Sequence, residues 1–329
     1  MLKAYKELKA RGVLGINERN ANYISALNPR WLFPLVDDKV TTKALALNAN
    51  MAVPELYGVI DNQADVKRLE DIVGEHESFV IKPANGSGGD GIIVVTGRRK
   101  GRYRTASGRL LSLADLQHHI SNTVGGQYSL TGAPDAAIVE YCVKFDLLFE
   151  QLSFQGVPDI RLIVLKGYPV MGMVRLPTQM SDGKANLHQG AVGAGIDNAN
   201  GVTLGGVLGN QIIDEHPDTG VTIAGVQIAR WDFILESAAR CFEVTELGYL
   251  GVDLVIDRDL GPLILEMNAR PGLNIQIANA AGLKPRLHHI LAEVESNDTV
   301  RSASERAAFS RQHFSVGAGA SSSQGLTGT

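Results

Sequence analysis

Residues 249–272 read YLGVDLVIDRDLGPLILEMNARPG, and the fold turns on how this stretch is read. Two aliphatic, β-branched runs, 252–257 and 262–267, flank the four-residue turn 258–261 and read as an antiparallel hairpin. Residues facing each other in such a pair keep a constant sum of positions, which sets Asp253 across from Glu266 on one face. Asn268 points the same way, because a strand alternates with period two. Leu254, Ile256, Leu263 and Leu265 take the opposite face, toward a core. Opposed carboxylates repel unless something positive lies between them. A hard divalent cation fits, and three protein oxygens leave room for phosphate oxygens, which favours Mg2+ over Ca2+. A solvated face with opposed charges is the competing reading; the long apolar face behind it argues for burial.

A second informative segment is FVIKPANGSGGDGIIVV, residues 79–95. Gly86, Gly88 and Gly91 satisfy GxGxxG, but a dinucleotide-binding loop needs a following helix and IIVV makes a strand. No Gly-Lys-Ser/Thr follows, so a Walker loop is excluded as well. Strand, glycine loop and strand in this order resemble a flexible lid whose N–H groups cover phosphates, with Lys82 as a fixed positive charge at its root. Taken alone, an ordinary glycine-rich hairpin with a surface lysine fits equally. HRD and DFG motifs are absent, which argues against a protein kinase.

Other residues carry weaker signals. Lys39 stands early in a helix, where a cation opposes the helix dipole; it suits a phosphate there, or is simply solvated. Arg161 and Arg175 fall on adjacent strands and could clamp an anion or pair with acids. His188, in ANLHQGAVGAG, lies in a glycine-rich stretch and is a better site candidate than the surface pairs His118–His119 and His288–His289. Arg98, Arg99, Lys100, Arg102, Arg104 and Arg109 read first as a solvated hairpin, then as a contact for an acidic partner.

The remaining chain frames these segments. A helix starts after Asp37 and Asp38, carries Lys39 and Lys43, and ends before Pro54. Further helices are expected over 64–73, 113–120, 227–244 and 284–295, and strands over 78–82, 91–95 and 136–141. DIRLIVL and PVMGMVRL form a hairpin around Lys166 and Gly167. Residues 177–210, rich in Gly, Asn and Gln, read as a long functional loop, and 300–329 as a disordered tail. Helices and antiparallel hairpins in blocks indicate an α+β protein. A length of 329 residues permits about two domains. A net charge of −4, from 31 basic and 35 acidic residues, gives no reason to expect nucleic-acid or membrane binding. Cys142 and Cys241 stand far apart, which suits a reducing compartment. The N-terminus lacks a signal peptide's apolar core, so a cytoplasmic protein is expected.

From about Asp38 to Gly282 the order of parts resembles the ATP-grasp superfamily, most closely the RimK-type α-L-glutamate ligases and their sugar-transfer-associated relatives. The matching pieces are DK (38–39) with Pro54 following, VIKP with the glycine loop, IVEYCV, DIR (159–161), NLHQG (186–190) and GVDLV…GPLILEMNARPGL. The resemblance implies two α+β subdomains clasping ATP between antiparallel sheets, with boundaries at 38–134 and 135–299 after a short helical segment, 1–37. Lys39 and Lys82 would bind ATP phosphates beneath a lid of Gly86, Ser87, Gly88, Gly89 and Gly91. Glu140, Tyr141 and Val143 would form the hinge whose backbone reads adenine, with Asp146 near the ribose. Asp253, Glu266 and Asn268 would hold Mg2+, or Mn2+ in its place. Arg161 and Arg270 would face phosphates, and Arg175, Asn186 and His188 the side where an acyl phosphate meets its acceptor.

The implied chemistry activates a carboxylate with ATP so that an amine can attack, releasing ADP and phosphate. The partners are a carboxylate donor and an amine acceptor, whether small molecule, peptide or protein terminus. Phosphoryl transfer to a stable product and non-catalytic nucleotide binding are the alternatives. Only 38 residues precede Lys39, the linker from Glu140 to Arg161 is long, and Arg270 replaces a small residue common in the RimK-type motif.

Overall fold

The computed structural model describes residues 2–86, 88–129, 132–297 and 299–315. Its strands form two antiparallel sheets, and each sheet supplies one wall of a cleft. The first has the order β1-β6-β2-β3-β4-β5: β1 (Leu56–Ile60), β2 (Phe79–Pro83), β3 (Ile93–Arg99), β4 (Arg102–Thr105), β5 (Leu110–Leu111) and β6 (Ala137–Tyr141). Alternation along β2 sends Phe79 and Ile81 into a core with Val95, Tyr103, Leu116 and Ile120. Val80 and Lys82 are left on the cleft side. The helix Leu113–Val124 covers the core face; a capping box between Ser112 and Asp115 starts it. Expectation and structure part at β6. Assigned to a second subdomain from 135, it instead lies between β1 and β2, and the chain crosses over only after Tyr141.

The second sheet has the order β11-β10-β9-β8-β7-β12-β13. Its strands are β7 (Asp159–Leu165), β8 (Tyr168–Leu176), β9 (Val192–Ile196), β10 (Thr203–Leu208), β11 (Gln211–Ile213), β12 (Tyr249–Asp257) and β13 (Gly261–Asn268). One face is apolar throughout: Ile160, Leu162, Val174, Val252 and Leu254 pack with the helix Trp231–Thr245. The other is divided. Ile163, Leu165 and Met171 pack with Leu14, Tyr23 and the helix Lys284–Ser296, and beyond them Arg161, Arg175 and Asp253 face the cleft. Among the described residues no helix is long and apolar enough to cross a membrane.

Two segments differ from expectation. The stretch 177–210 contains β9 and β10, which extend the sheet. A polar composition suggested a loop, but the glycines of VGAGI allow close approach: a Cβ on Gly195 would lie 2.7 Å from the carbonyl oxygen of Ala278. The supposed tail contains the helix Ala303–His313, started by a capping box between Ser302 and Glu305. Its Phe309 packs edge-on against Tyr168 at 5.5 Å. Residues 316–329 lie outside the described residues.

Candidate functional site

The cleft between the sheets has a volume of about 1470 Å³. Lys39, Lys82, Gly88, Gly89, Glu140, Tyr141 and Val143 line it from the first half, and Arg161, Arg175, Asn186, His188, Asp253, Glu266 and Asn268 from the second. Gly86, Gly91, Asp146 and Arg270 are not among the lining residues, and Ser87 lies outside the described residues.

On the first wall, Asp38 caps the helix Lys39–Asn48 by accepting the Thr41 N–H at 2.9 Å. Lys39 therefore enters the site from the first turn of that helix. Its Nζ donates to the carbonyls of Gly86 (2.7 Å) and Ala84 (3.3 Å) at the root of the glycine loop. Burial lowers its pKa, against the pull of Glu266 across the cleft, and the nearby Lys82 lowers it further. Lys82 Nζ stands 2.5 Å from Glu140 Oε1, and Lys43 Nζ 2.8 Å from Glu140 Oε2. Glu140 thus contributes a buried carboxylate where only its backbone was expected. Burial favours its neutral form, yet the two lysines outweigh that and hold its pKa below the ordinary value. Past Glu140, the Tyr141 hydroxyl (3.0 Å) and the Lys144 N–H (2.8 Å) both donate to Asp257, tying the crossover to the end of β12.

The glycine loop is anchored at both ends and at its tip. Asp135 accepts from the backbone and side-chain N–H groups of Asn85. At the far end His119 Nε2 lies 2.8 Å from the Gly91 carbonyl and Nδ1 3.3 Å from the Tyr128 hydroxyl. This pattern places the ring proton on Nε2, and burial keeps the pKa of His119 low. His119 is therefore not the surface residue expected. The Gly88 carbonyl accepts from Asn186 and Gln189 of the opposite half, each at 3.3 Å, so the loop spans the cleft. The exposed His188 stands beside this contact, its N–H donating to Asn186 Oδ1 at 3.0 Å.

On the second wall Asp253 does face Glu266, by a route other than the expected one. The turn pairs Asp257 with Gly261 and Leu254 with Ile264, one residue short of the expected register; a bulge at Leu265 makes up the difference. In consequence Ile264 joins Leu254 and Ile256 in the core, and Leu265 faces the cleft. The positive charge next to Asp253 is provided by protein. Arg161 grips its two oxygens at 2.7 and 2.5 Å, and Arg175 reaches Oδ2 at 2.8 Å while also forming a bidentate pair with Asp159. Burial opposes ionisation of Asp253, but the two arginines prevail and bring its pKa to about 2. Asp159 is pushed up to about 6 by burial together with the charge of Asp253, against Arg175.

Among the described residues Glu266 makes no ion pair within 4 Å, and no three His, Cys, Asp or Glu side chains gather as a metal site. The free carboxylate of Glu266 and the amide oxygen of Asn268 suit a hard cation; Asp253, opposite Glu266, already accepts three arginine N–H groups, two of them on Oδ2. Asn268 Oδ1 already accepts the Arg270 N–H at 2.8 Å. The Arg270 side chain turns away: its Nη2 donates to both Asp37 oxygens, at 2.8 and 2.9 Å, and the guanidinium lies over the Phe33 ring. Its guanidinium is thus paired outside the cleft, where the resemblance implies a place facing phosphates.

Lys43, Asp159 and Asp135 are members to which sequence reasoning gives no role, and His119 is one that it places at the surface. Two had a signal. Lys43 follows Lys39 by four residues and so shares its helical face, and Asp159 opens DIR directly opposite Arg175 in the hairpin.

The chain resembles several solved structures at low identity. The ATP-grasp ligase PsnB in complex with a minimal precursor is 16% identical with a TM-score of 0.43, over 81% of this chain and 64% of that one. The D-cycloserine synthetase DcsG is 16% identical with a TM-score of 0.43, over 82% and 73%. Biotin carboxylase from Campylobacter jejuni is 14% identical with a TM-score of 0.47, over 83% and 49%. The chain thus spans just under two thirds of the length of PsnB. No curated protein matches it. The sequence profile of the family described as sugar-transfer associated ATP-grasp matches residues 18–292. That match takes in both sheets and every residue placed in the cleft, and the chain belongs to the sugar-transfer-associated ATP-grasp family, with the ATP-grasp fold.

Proposed function

We propose that the protein is an Mg-ATP-dependent ligase that joins a carboxylate to an amine through an acyl phosphate, releasing ADP and phosphate. The observation that carries this reading is the division of the cleft. Lys39 and Lys82 stand under a glycine loop on one wall, and Glu266, Asn268, Arg161 and Arg175 on the other. Phosphoryl transfer asks chiefly for positioning and charge neutralisation, and the two walls offer both. Lys39 and Lys82 act as point charges toward the phosphates, and the N–H groups of Gly88 and Gly89 cover them. Glu266 and Asn268 would hold a dication, with Asp253 opposite them; such an ion supplies Lewis-acid charge at the transferring phosphoryl group. Arg161 and Arg175 steady negative charge on the acyl side. Asn186 and Gln189 hold the loop across the cleft, which shields the acyl phosphate from water.

The donor is a carboxylate and the acceptor an amine, on a small molecule, a peptide or a protein terminus. Glutamate heads the amines to be tried, from the resemblance to α-L-glutamate ligases. Hydroxylamine, a small strong nucleophile, tests the chemistry without knowledge of the amine. With Mg-ATP and a panel of carboxylates it should give a hydroxamate, with ADP and phosphate in equal amounts. A stable phosphorylated product without hydroxamate would indicate a phosphotransferase instead, and AMP with pyrophosphate would reject the scheme.

A further inference from the structure

Three charged side chains from three segments meet beside the expected phosphate position. Lys43 comes from the helix Lys39–Asn48, Lys82 from β2 and Glu140 from β6. They are 6%, 7% and 3% exposed, so water screens none of them well. Glu140 pairs across the sheet with Val80, two residues from Lys82, which puts both side chains on the cleft face. Its two oxygens are divided, Oε1 to Lys82 at 2.5 Å and Oε2 to Lys43 at 2.8 Å. Lys43 also donates to the carbonyl of Pro54, which fixes its ammonium from the other side.

Lys82 with Glu140 alone would be a neutral pair, and a neutral pair attracts a phosphate weakly. A second lysine on the same carboxylate leaves the group of three at net +1. We propose that Lys43 is a positioning residue for nucleotide phosphate: by holding the second oxygen of Glu140 it leaves Lys82 a net charge to present to the phosphate. This rests on the reading that Lys82 meets a phosphate of ATP. A merely structural role for Lys43, tying its helix to the chain before β1, predicts something different. Loss of Lys43 would then lower stability, and neutralising Glu140 would not restore nucleotide binding.

The test is calorimetric titration of the full chain with Mg-ATP, beside thermal melts, for wild type, Lys43→Met, Glu140→Gln and the double variant. Lys43→Met should weaken Mg-ATP binding tenfold or more, because Lys82 is then neutralised by Glu140. Lys43→Met with Glu140→Gln should bind within threefold of wild type, because net +1 is restored on Lys82. The double variant leaves no carboxylate against Lys82, so its affinity remains informative if Lys43→Met alone fails to fold. Wild-type affinity in Lys43→Met, or a folded double variant still tenfold weaker than wild type, overturns the inference. Absence of Mg-ATP binding by wild type would instead overturn the ligase reading, and this inference with it.

Discussion

The lysine wall and the carboxylate wall of the cleft are both laid out on antiparallel sheets, yet they hold their charges differently. On the first, a single buried carboxylate, Glu140, is shared by Lys43 and Lys82, and Lys39 rests on loop carbonyls. That wall keeps a surplus of positive charge, held in place by neutral or shared acceptors. On the second, Asp159, Arg161, Arg175 and Asp253 alternate across three neighbouring strands and cancel one another, and Glu266 stands outside the network. A surplus suits an incoming polyanion. A balanced network with one free acid suits a wall that must accept a cation and return arginines to phosphate. The contrast shows that cleft residues of the same type differ in role according to whether their charge is already matched.

The sharpest way to break this comparison is to alter the unmatched acid. Glu266→Gln removes no ion pair, so the melting temperature should stay close to wild type. Turnover, followed as ADP release under saturating Mg-ATP, should fall about 1,000-fold, on the order of 4 kcal/mol of transition-state stabilisation. A variant with near-normal turnover would show that Glu266 is a bystander.

Asp253→Asn should behave in the opposite manner. The opposed-carboxylate reading from sequence suggests that neutralising Asp253 relieves repulsion and stabilises the nucleotide-free protein. The structure reverses that sign: Arg161 and Arg175 would lose a shared buried partner. Breaking a buried pair by removing one member costs about 3–5 kcal/mol, which urea unfolding in chelator would register. Unchanged or raised stability would mean that the arginines do not rely on Asp253.

The anchoring of the glycine loop yields a smaller effect. Gly91 has φ +75°, and a Cβ there would come within 2.6 Å of the Tyr128 ring. Gly91→Ala should therefore loosen the His119 anchor at a cost of about 1–3 kcal/mol. Amide exchange across residues 86–91 should speed up in nucleotide-free protein, with a raised KM for ATP. Exchange equal to wild type would mean that the loop is not held there.

How far the sequence disclosed all this depended on which interactions were local. Hairpins, the cap at Asp38 and the face-to-face placement of Asp253 and Glu266 follow from period-two alternation and local capping and turn chemistry, so they are legible. The bulge at Leu265 was not, because nothing in GPLILEM marks the extra residue, and the register came out correct only because turn and bulge offset each other. VGAGI reads as loop because a strand of small residues shows its strand character only when a partner packs onto it. The arginines on Asp253 lay beyond reach for a similar reason. Which cation neutralises a carboxylate depends on the order β8-β7-β12, and a list of motifs does not contain strand order. The C-terminal helix was lost among Ser and Ala, although Ser302 and Glu305 spell its capping box.

The balanced wall also has a pH signature, the smallest effect of the four. An unfolded aspartate titrates near ~3.9, whereas folded Asp159 lies at about 6, raised by burial and by the charge of Asp253. The native state therefore binds this proton more tightly than the unfolded chain. The resulting stabilisation is complete below the unfolded pKa and disappears as pH rises through about 6. Asp253 works in the reverse sense: held at about 2 by Arg161 and Arg175 despite burial, it adds stability above ~3.9 that is lost only in stronger acid. Between pH 4.5 and 7 Asp253 thus stays charged and Asp159 supplies the slope, at most ~1.4 kcal/mol per pH unit for one proton. Urea unfolding of metal-free wild type and Asp159→Asn across this range isolates it. Absolute stabilities will differ, since the variant weakens the pair with Arg175, but the quantity of interest is how the gap changes with pH. Wild type should lose ground to Asp159→Asn as pH rises from 4.5 to 7. A constant gap would mean that Asp159 is ionised throughout, with Arg175 strong enough to keep both acids charged at once.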